Sequence, residues 1–238
     1  MVDPVDDPHP SVFPWYGLPA RAQESRLAAL RGAGVMLAIT LTCYFVTNVI
    51  AGARGVTVFD PAQLFVIDGR TLDSRIPYVP WTLHVYKLYV WFLLLPVLLY
   101  PKTAAGAREL FRLFNGLILI TFVACTVFLL CPAEATLRAT ADAGGSSEAM
   151  QAMIRMLHEV DRPFNTWPSM HVALPGLVAL VVTRWLRKRR WVVVLWVALA
   201  AMSISTLTIK QHFIWDAITG ALLALVYWGW KWRITRSP

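Results

Sequence analysis

The stretch that decides the fold is "AGVMLAITLTCYFVTNVIA", residues 33–51, which contains no charged side chain. A helix that crosses the hydrocarbon core of a bilayer needs about 20 mostly apolar residues, and this stretch has that character. Similar apolar stretches follow at residues 83–100, 114–131, 171–186, 191–208 and 213–230. The sequence therefore predicts an all-α polytopic membrane protein, built as a bundle of six transmembrane helices.

The composition of the chain supports a membrane protein. Of 238 residues, 57% are hydrophobic and 15% are charged, against about 45–50% and about 25% in soluble domains. The net charge of +8 does not indicate nucleic acid as a partner, because the cations lie mostly between apolar stretches. Cys43, Cys125 and Cys131 lack metal-ligand spacing and are expected to be small buried hydrophobes.

Three regions follow from these patterns. Residues 1–32 are predicted to be a cytoplasmic segment that ends in an interfacial helix, "ARAQESRLAALRG", since its pattern is amphipathic. Residues 33–230 form the predicted six-helix membrane domain, and residues 231–238 form a basic tail. The two longer loops, at about 52–82 and 132–170, are both expected on the side opposite the termini, and the second contains a short helix pattern at residues 147–158.

The distribution of cations predicts the orientation. Most of the 22 lysines and arginines lie in the segments that an even number of spans places on the same side as both termini. An excess of Lys and Arg marks the cytoplasmic face, so both termini are expected inside. We expect a bacterial inner membrane, with the two motifs described next facing the periplasm.

The first motif is "STLTIKQHFIWDAITG", residues 205–220. His212 and Asp216 are four residues apart and share one helix face. A carboxylate bonded to one imidazole nitrogen fixes the tautomer and leaves the other nitrogen free to attack or to accept a proton. Together with Lys210, these ionisable groups near a membrane span predict a functional site.

The second motif is "FNTWPSMHVALPG", residues 164–176. Pro168 fits the first turn of a helix, and Ser169 with the amides of that helix start would form an anion cradle. His171 would point into this cradle. By itself His171 fits an interfacial histidine equally well, but combined with His212 and Asp216 it favours catalysis.

These residues resemble the type-2 phosphatidic acid phosphatase superfamily of histidine-nucleophile phosphoesterases. Pro168–His171 match its Pro-Ser-x-His motif, and Ser205, His212 and Asp216 keep the spacing of its third motif, with Thr206 in place of an arginine. The motif that comes first in the superfamily, Lys-x6-Arg-Pro, is absent from this sequence. In its place "RIPYVPW", residues 75–81, is similar to a divergent branch that includes inositol phosphorylceramide and sphingomyelin synthases. The resemblance covers about residues 70–230.

The resemblance implies roles for individual residues. His212 is the expected nucleophile, Asp216 orients it, and His171 is the general acid and then the general base. Lys210 is the candidate to bind the phosphate in place of the missing arginine, assisted by Ser169.

Further candidates for phosphate binding have structural alternatives. Lys87 could reach the phosphate or extend to the surface. Arg75 and Arg162 could bind phosphate or pair with Asp73 and Asp161. Asn165 could assist or brace its loop, and neither a metal nor another cofactor is expected.

Three functions remain open at this point. The first is a metal-independent membrane enzyme that hydrolyses a lipid phosphomonoester or pyrophosphate through a phosphohistidine. The alternative is a lipid phosphotransferase of the sphingolipid-synthase type, which moves a phosphoryl group or a phospho-headgroup to a lipid alcohol. A transporter is the least favoured function, because His171, Lys210 and His212 are predicted at one depth. The sequence leaves the oligomeric state open.

Overall fold

The structure, a computed structural model, describes residues 25–138 and 146–233. Its helices are α1 (Arg26–Arg54), α2 (Leu72–Arg75), α3 (Leu83–Tyr86), α4 (Leu88–Leu99), α5 (Ala104–Leu130), α6 (Glu148–Val160), α7 (Met170–Trp185), α8 (Arg189–Thr208) and α9 (Ile214–Trp228). Strands β1 (Val66–Ile67) and β2 (Arg70–Thr71) pair as a short antiparallel hairpin. The helical class predicted from the sequence is confirmed.

Four segments are long and apolar enough to cross a membrane: Arg26–Arg54, Pro80–Leu99, Ala104–Leu130 and Arg189–Thr208. The second of these joins a short 3-10 turn to α3 and α4. Helices α7 and α9 have 16 and 15 residues, fewer than the about 20 that span a bilayer without help. The chain is therefore an integral membrane protein, while the count of six spans and the cytoplasmic termini stay predictions.

The first helix is longer than the predicted first span. Ser25 caps it by accepting a hydrogen bond from the Ala28 amide at 3.0 Å, and Gly55, with φ of 59°, ends it. The predicted boundary at residue 32 falls inside this helix, because the small residues Ala28, Ala29 and Gly32 are buried and extend the packing surface. The rest of the predicted amino-terminal segment, residues 1–24, lies outside the described residues, as do residues 234–238 of the predicted tail.

Helix α1 packs along α5, and small residues make the contact close. A Cβ atom on Gly32 would lie 2.6 Å from Phe111 Cε1 and 3.1 Å from Phe114 Cε2. Phe114 is completely buried. In a bilayer, close van der Waals packing of this kind is the main force that joins helices, since lipid tails are as apolar as the side chains.

Helix α7 lies at the centre of the bundle and packs against α4, α5, α8 and α9. Most of its side chains are buried, among them Leu174, Leu177 and Val178. The outer helices instead expose large apolar side chains, including Trp91 and Val226. Such surfaces are stable against lipid tails and unstable against water. The central position of α7 places its first turn against the ends of its neighbours.

Helix α6 is amphipathic and packs against the ends of two membrane helices. Ile154 on its buried face belongs to a cluster with Leu83, Tyr86 and Ile209. The helical pattern predicted at residues 147–158 is therefore confirmed.

Exchange of two glycines of α1 for alanine tests the α1–α5 packing. Gly34 has no atom within 4 Å of an added Cβ, whereas Gly32 meets Phe111 and Phe114. Both exchanges gain the same helix propensity, so the difference between them isolates the packing. We expect the Gly32→Ala protein to be less stable than the Gly34→Ala protein by about 1–3 kcal/mol. Thermal unfolding in detergent measures this difference, and equal stability of the two variants would contradict the close contact.

Candidate active site

His212 stands on a tight loop between α8 and α9. The loop reverses direction because the amides of Gln211 and His212 both donate to the carbonyl of Thr206, at 2.9 and 3.2 Å. Lys210 adopts a left-handed conformation there, with φ of 60°. His212 is 7% exposed, and its Nδ1 lies 2.9 Å from the carbonyl oxygen of Thr166. This carbonyl can only accept, so Nδ1 carries the proton and Nε2 carries the lone pair.

Asp216 lies in the first turn of α9 and is completely buried. Its Oδ2 accepts a hydrogen bond from the Phe213 amide at 2.9 Å and lies 3.5 Å from Nδ1 of His212. The sequence analysis expected a direct hydrogen bond between the carboxylate and the imidazole. In the structure the two groups are farther apart, at the distance of an ion pair. The shorter contact of Nδ1 is with Thr166, so carboxylate and carbonyl hold the same ring nitrogen together.

His171 lies in the first turn of α7 and faces His212. Its Nδ1 is 3.2 Å from Nε2 of His212, and its Nε2 is 2.7 Å from the hydroxyl of Tyr86. The ring packs between two tyrosines, with centroid distances of 4.5 Å to both Tyr86 and Tyr89. The structure thus brings together the three residues that the sequence predicts as catalytic, from two separate motifs.

The start of α7 has the features of an anion cradle. Ser169 is the N-cap and is completely buried, and its Oγ has no hydrogen-bond partner among the described residues. The first amides of a helix have no partner within the helix, so those of Met170 and His171 are available near the imidazoles. The sequence analysis expected Pro168 in the first turn of the helix. In the structure the helix begins at Met170, so Pro168 lies before the N-cap residue and outside the first turn.

Helix α9 approaches this cradle closely enough to require a glycine. A Cβ atom on Gly220 would lie 2.5 Å from the carbonyl oxygen of Ser169. The Ser169 amide donates to the carbonyl of Asp216 at 3.0 Å. These two contacts fix the start of α7 against the helix that carries the carboxylate.

Lys210 contacts backbone rather than the histidines. Its Nζ donates to the carbonyls of Asp73 and Ile76 at 3.0 and 2.5 Å, and the side chain is 5% exposed. Burial lowers the pKa of Lys210, and the nearby Asp73 carboxylate partly offsets this effect. Lys210 therefore ties the segment around residues 73–76 to the loop of His212, and its binding of phosphate stays a prediction.

The other predicted phosphate ligands are placed in different surroundings. Arg75 donates to the carbonyl of Ile67 at 2.5 Å and lies 3.8 Å from Asp68, so the suggested pairing with Asp73 is wrong. Lys87 is exposed at the end of α3. Asn165 donates to the Tyr44 carbonyl at 3.3 Å and therefore braces its loop. Binding of phosphate by any of them stays a prediction.

A buried polar cluster holds the segment that contributes the Thr166 carbonyl. Asp161 pairs with Arg138 at 3.3 Å, rather than with Arg162, and accepts hydrogen bonds from Tyr44 at 2.5 Å and Asn48 at 3.2 Å. Arg138 also donates to the Asp161 carbonyl, and its Nε has no partner within the described part of the chain. The charge of Arg138 is within electrostatic reach of His171. The cluster thus connects α1 to the segment that contains Thr166.

Three participants were missed by the sequence analysis: the Tyr86 hydroxyl, the Thr166 carbonyl and Arg138. Tyr86 and Tyr89 are three residues apart in "HVYKLY" (84–89), a spacing that puts both on one face and could have indicated a shared contact. The carbonyl of Thr166 carries no sequence signal, since every residue has one. Arg138 precedes the second motif by many residues and has no motif around it. In residues 25–138 and 146–233, no group of three His, Cys, Asp or Glu side chains is arranged to hold a metal ion.

The arrangement contains the groups that phosphoryl transfer through a histidine requires. It has an unprotonated, oriented imidazole nitrogen, a second imidazole within hydrogen-bond distance, and a helix start that can accommodate an anion. A search of curated protein sequences finds no match to the chain. The family model described as PAP2 superfamily matches residues 70–230, a range that includes α2 to α9 and all the residues of the histidine pair. The protein therefore belongs to the PAP2 superfamily, a family of phosphatase-type lipid enzymes.

Proposed function

We propose that this protein is a membrane lipid phosphatase that hydrolyses a lipid phosphomonoester or pyrophosphate through a phosphohistidine on His212. The observation that carries the proposal is the 3.2 Å approach of His171 Nδ1 to His212 Nε2, with the opposite nitrogen of His212 held by the Thr166 carbonyl. The nucleophile and its acid–base partner are thus in contact.

In the first step, the lone pair of His212 Nε2 attacks phosphorus and the bond from phosphorus to the leaving oxygen breaks. The electron pair goes to that oxygen, which takes the proton from the His171 imidazolium at Nδ1. Nδ1–H of His212 stays on the Thr166 carbonyl, near Asp216, and these stabilise the positive charge that the ring acquires.

In the second step, His171 Nδ1 removes a proton from water. The water oxygen bonds to phosphorus, the phosphorus–nitrogen bond breaks, and its electrons return to His212. A reacting geometry needs phosphorus about 3–3.5 Å from one nitrogen and the leaving oxygen about 2.6–3.2 Å from the other. The two rings therefore separate as substrate enters between them.

The charge on the equatorial phosphate oxygens needs fixed donors. Ser169 Oγ and the amides at the start of α7 support a cradle on one side. Arg138 adds a buried guanidinium within electrostatic reach of His171. Lys87, Lys210 and Arg75 are proposed as further phosphate ligands, of which Lys87 has the freest side chain. No metal or other cofactor is part of this proposal.

We further propose that the site faces the periplasm of a bacterial inner membrane. The support is the excess of cations in the segments that six spans would put opposite the site. The substrate is then a membrane lipid whose phosphate lies at the outer headgroup level.

A second candidate is a lipid phosphotransferase of the sphingolipid-synthase type. Thr206 occupies the position of the motif arginine, is completely buried, and donates to the Ser203 carbonyl at 2.7 Å. The segment 75–81, which resembles that branch, is hydrogen-bonded to the end of α8. The Val79 amide donates to the Thr208 carbonyl at 3.0 Å. In this second candidate a lipid alcohol, in place of water, receives a phosphoryl group or a phospho-headgroup.

Alanine exchange of the two histidines tests the phosphohistidine. His212→Ala removes the nucleophile and is expected to lower phosphate release at least about 1,000-fold. His171→Ala is expected to lower it about 100- to 10,000-fold and to accumulate labelled phosphoenzyme, because water is no longer activated. Phosphate release and covalent labelling are measured with radiolabelled dioctanoyl phosphatidate in detergent.

His84→Ala is the matched control, because His84 is exposed on α3; it is expected to retain turnover within about twofold. Turnover by His212→Ala at the rate of the unaltered protein would contradict the proposed function.

The acceptor separates the two candidates. A phosphatase releases inorganic phosphate at a rate that an added lipid alcohol, such as diacylglycerol or ceramide, leaves unchanged. A transferase forms a new phospholipid at the expense of free phosphate. Thin-layer chromatography of labelled products, with and without the alcohol, measures the partition. Transfer that dominates over hydrolysis would replace the first candidate by the second.

A further inference from the structure

The acid–base role of His171 demands that only one of its nitrogens exchange protons. An imidazole has two nitrogens, and either can carry the proton of the neutral ring. In the mechanism above, Nδ1 faces His212 and substrate, so Nε2 needs a partner that keeps its proton in place. A carboxylate does this for many catalytic histidines, but no carboxylate within the described residues bonds to His171.

The partner of Nε2 is the hydroxyl of Tyr86, at 2.7 Å. Tyr86 ends α3, and 7% of its surface is exposed. It packs in the cluster with Leu83, Ile154 and Ile209, so neighbours from α6 and from the end of α8 limit its rotation. Its ring also packs on His171, with an angle of 33° between the two planes. The hydroxyl is therefore held in one position relative to the imidazole.

We propose that Tyr86 is the positioning residue of His171, whose hydroxyl holds Nε2 so that Nδ1 alone exchanges protons with the substrate. This inference rests on the proposed function, since it assigns His171 as the acid–base group. Neither sequence motif includes Tyr86.

The protons balance through the cycle. In the imidazolium, Nε2–H donates to the Tyr86 oxygen and Nδ1–H donates to the leaving oxygen. After Nδ1 gives up its proton, Nε2–H stays on Tyr86 and the Nδ1 lone pair faces the attacking water. Nδ1 then takes a proton from water and the imidazolium is restored. Tyr86 keeps its own proton at every step.

A hydroxyl is suited to this position because it is neutral and can donate or accept. A carboxylate at Nε2 would stabilise the imidazolium and make proton transfer to the leaving oxygen less favourable. The other groups in contact with His171 are the Tyr89 ring and His212. Neither of these accepts a hydrogen bond from Nε2, so the assignment falls to Tyr86.

Tyr86→Phe removes the hydroxyl and retains the ring. The test compares kcat/KM for two substrates of different leaving group: dioctanoyl phosphatidate, whose alkoxide needs a proton, and p-nitrophenyl phosphate, whose phenolate leaves without one. Because kcat/KM reports on the first irreversible step, it isolates the formation of the phosphoenzyme. We expect a loss of about 10- to 100-fold for phosphatidate and of less than about threefold for p-nitrophenyl phosphate.

Tyr89→Phe is the matched control. Tyr89 packs on the same imidazole at the same centroid distance, but no hydrogen bond of its hydroxyl occurs in the described part of the structure, so we expect both values of kcat/KM to stay within about twofold. Turnover of p-nitrophenyl phosphate also shows that the Tyr86→Phe protein is folded.

The outcomes separate this proposal from the proposed function. Equal losses for both substrates, or no loss for either, would overturn the role of Tyr86 while leaving the histidine pair intact. If His212→Ala still turns over both substrates, the proposed function fails instead. A selective loss in Tyr89→Phe would overturn the assignment to Tyr86 alone, because that exchange removes only the Tyr89 hydroxyl and keeps the ring that packs on His171.

Discussion

The hydrogen bond from His212 Nδ1 to the carbonyl of Thr166 is the contact on which the site depends. It joins two segments that lie 46 residues apart in the chain and selects the tautomer that leaves Nε2 unprotonated. The carbonyl is a fixed acceptor at 2.9 Å, whereas the Asp216 carboxylate stands farther away, at 3.5 Å. The backbone thus sets the tautomer, and the carboxylate adds charge to a ring that the carbonyl already orients.

The Thr166 carbonyl can be a fixed acceptor only if its segment is held in place. The buried cluster around Asp161 holds that segment. A buried ion pair is costly in itself because both charges leave water. Here Asp161 also accepts hydrogen bonds from Tyr44 and Asn48, and these compensate part of the desolvation. The first helix therefore contributes to the site, although it lies outside the matched residues 70–230 and carries none of the proposed catalytic groups.

The sequence predicted the chemical groups better than their surroundings. The spacing of His212 and Asp216 and the Pro-Ser-x-His motif were sufficient to bring three side chains together, because helical geometry and a helix start determine where they point. The Thr166 carbonyl and the Tyr86 hydroxyl depend on contacts between distant segments, which no local pattern encodes. Lys210 was assigned to phosphate by its place next to His212, yet its left-handed backbone directs the side chain toward the carbonyls of residues 73 and 76. The first helix exceeded its predicted length because small residues continue the packing beyond the apolar stretch.

The central claim is that phosphate is carried on one defined nitrogen. It is tested most directly with phosphoenzyme prepared from protein labelled with ¹⁵N-histidine, by measuring the coupling between ³¹P and ¹⁵N in the NMR spectrum and locating the modified residue by mass spectrometry. The account predicts phosphorus bonded to Nε2 of His212. Phosphorus on Nδ1 of His212, or on any other residue, would contradict it, because Nδ1 is the nitrogen that Thr166 and Asp216 hold.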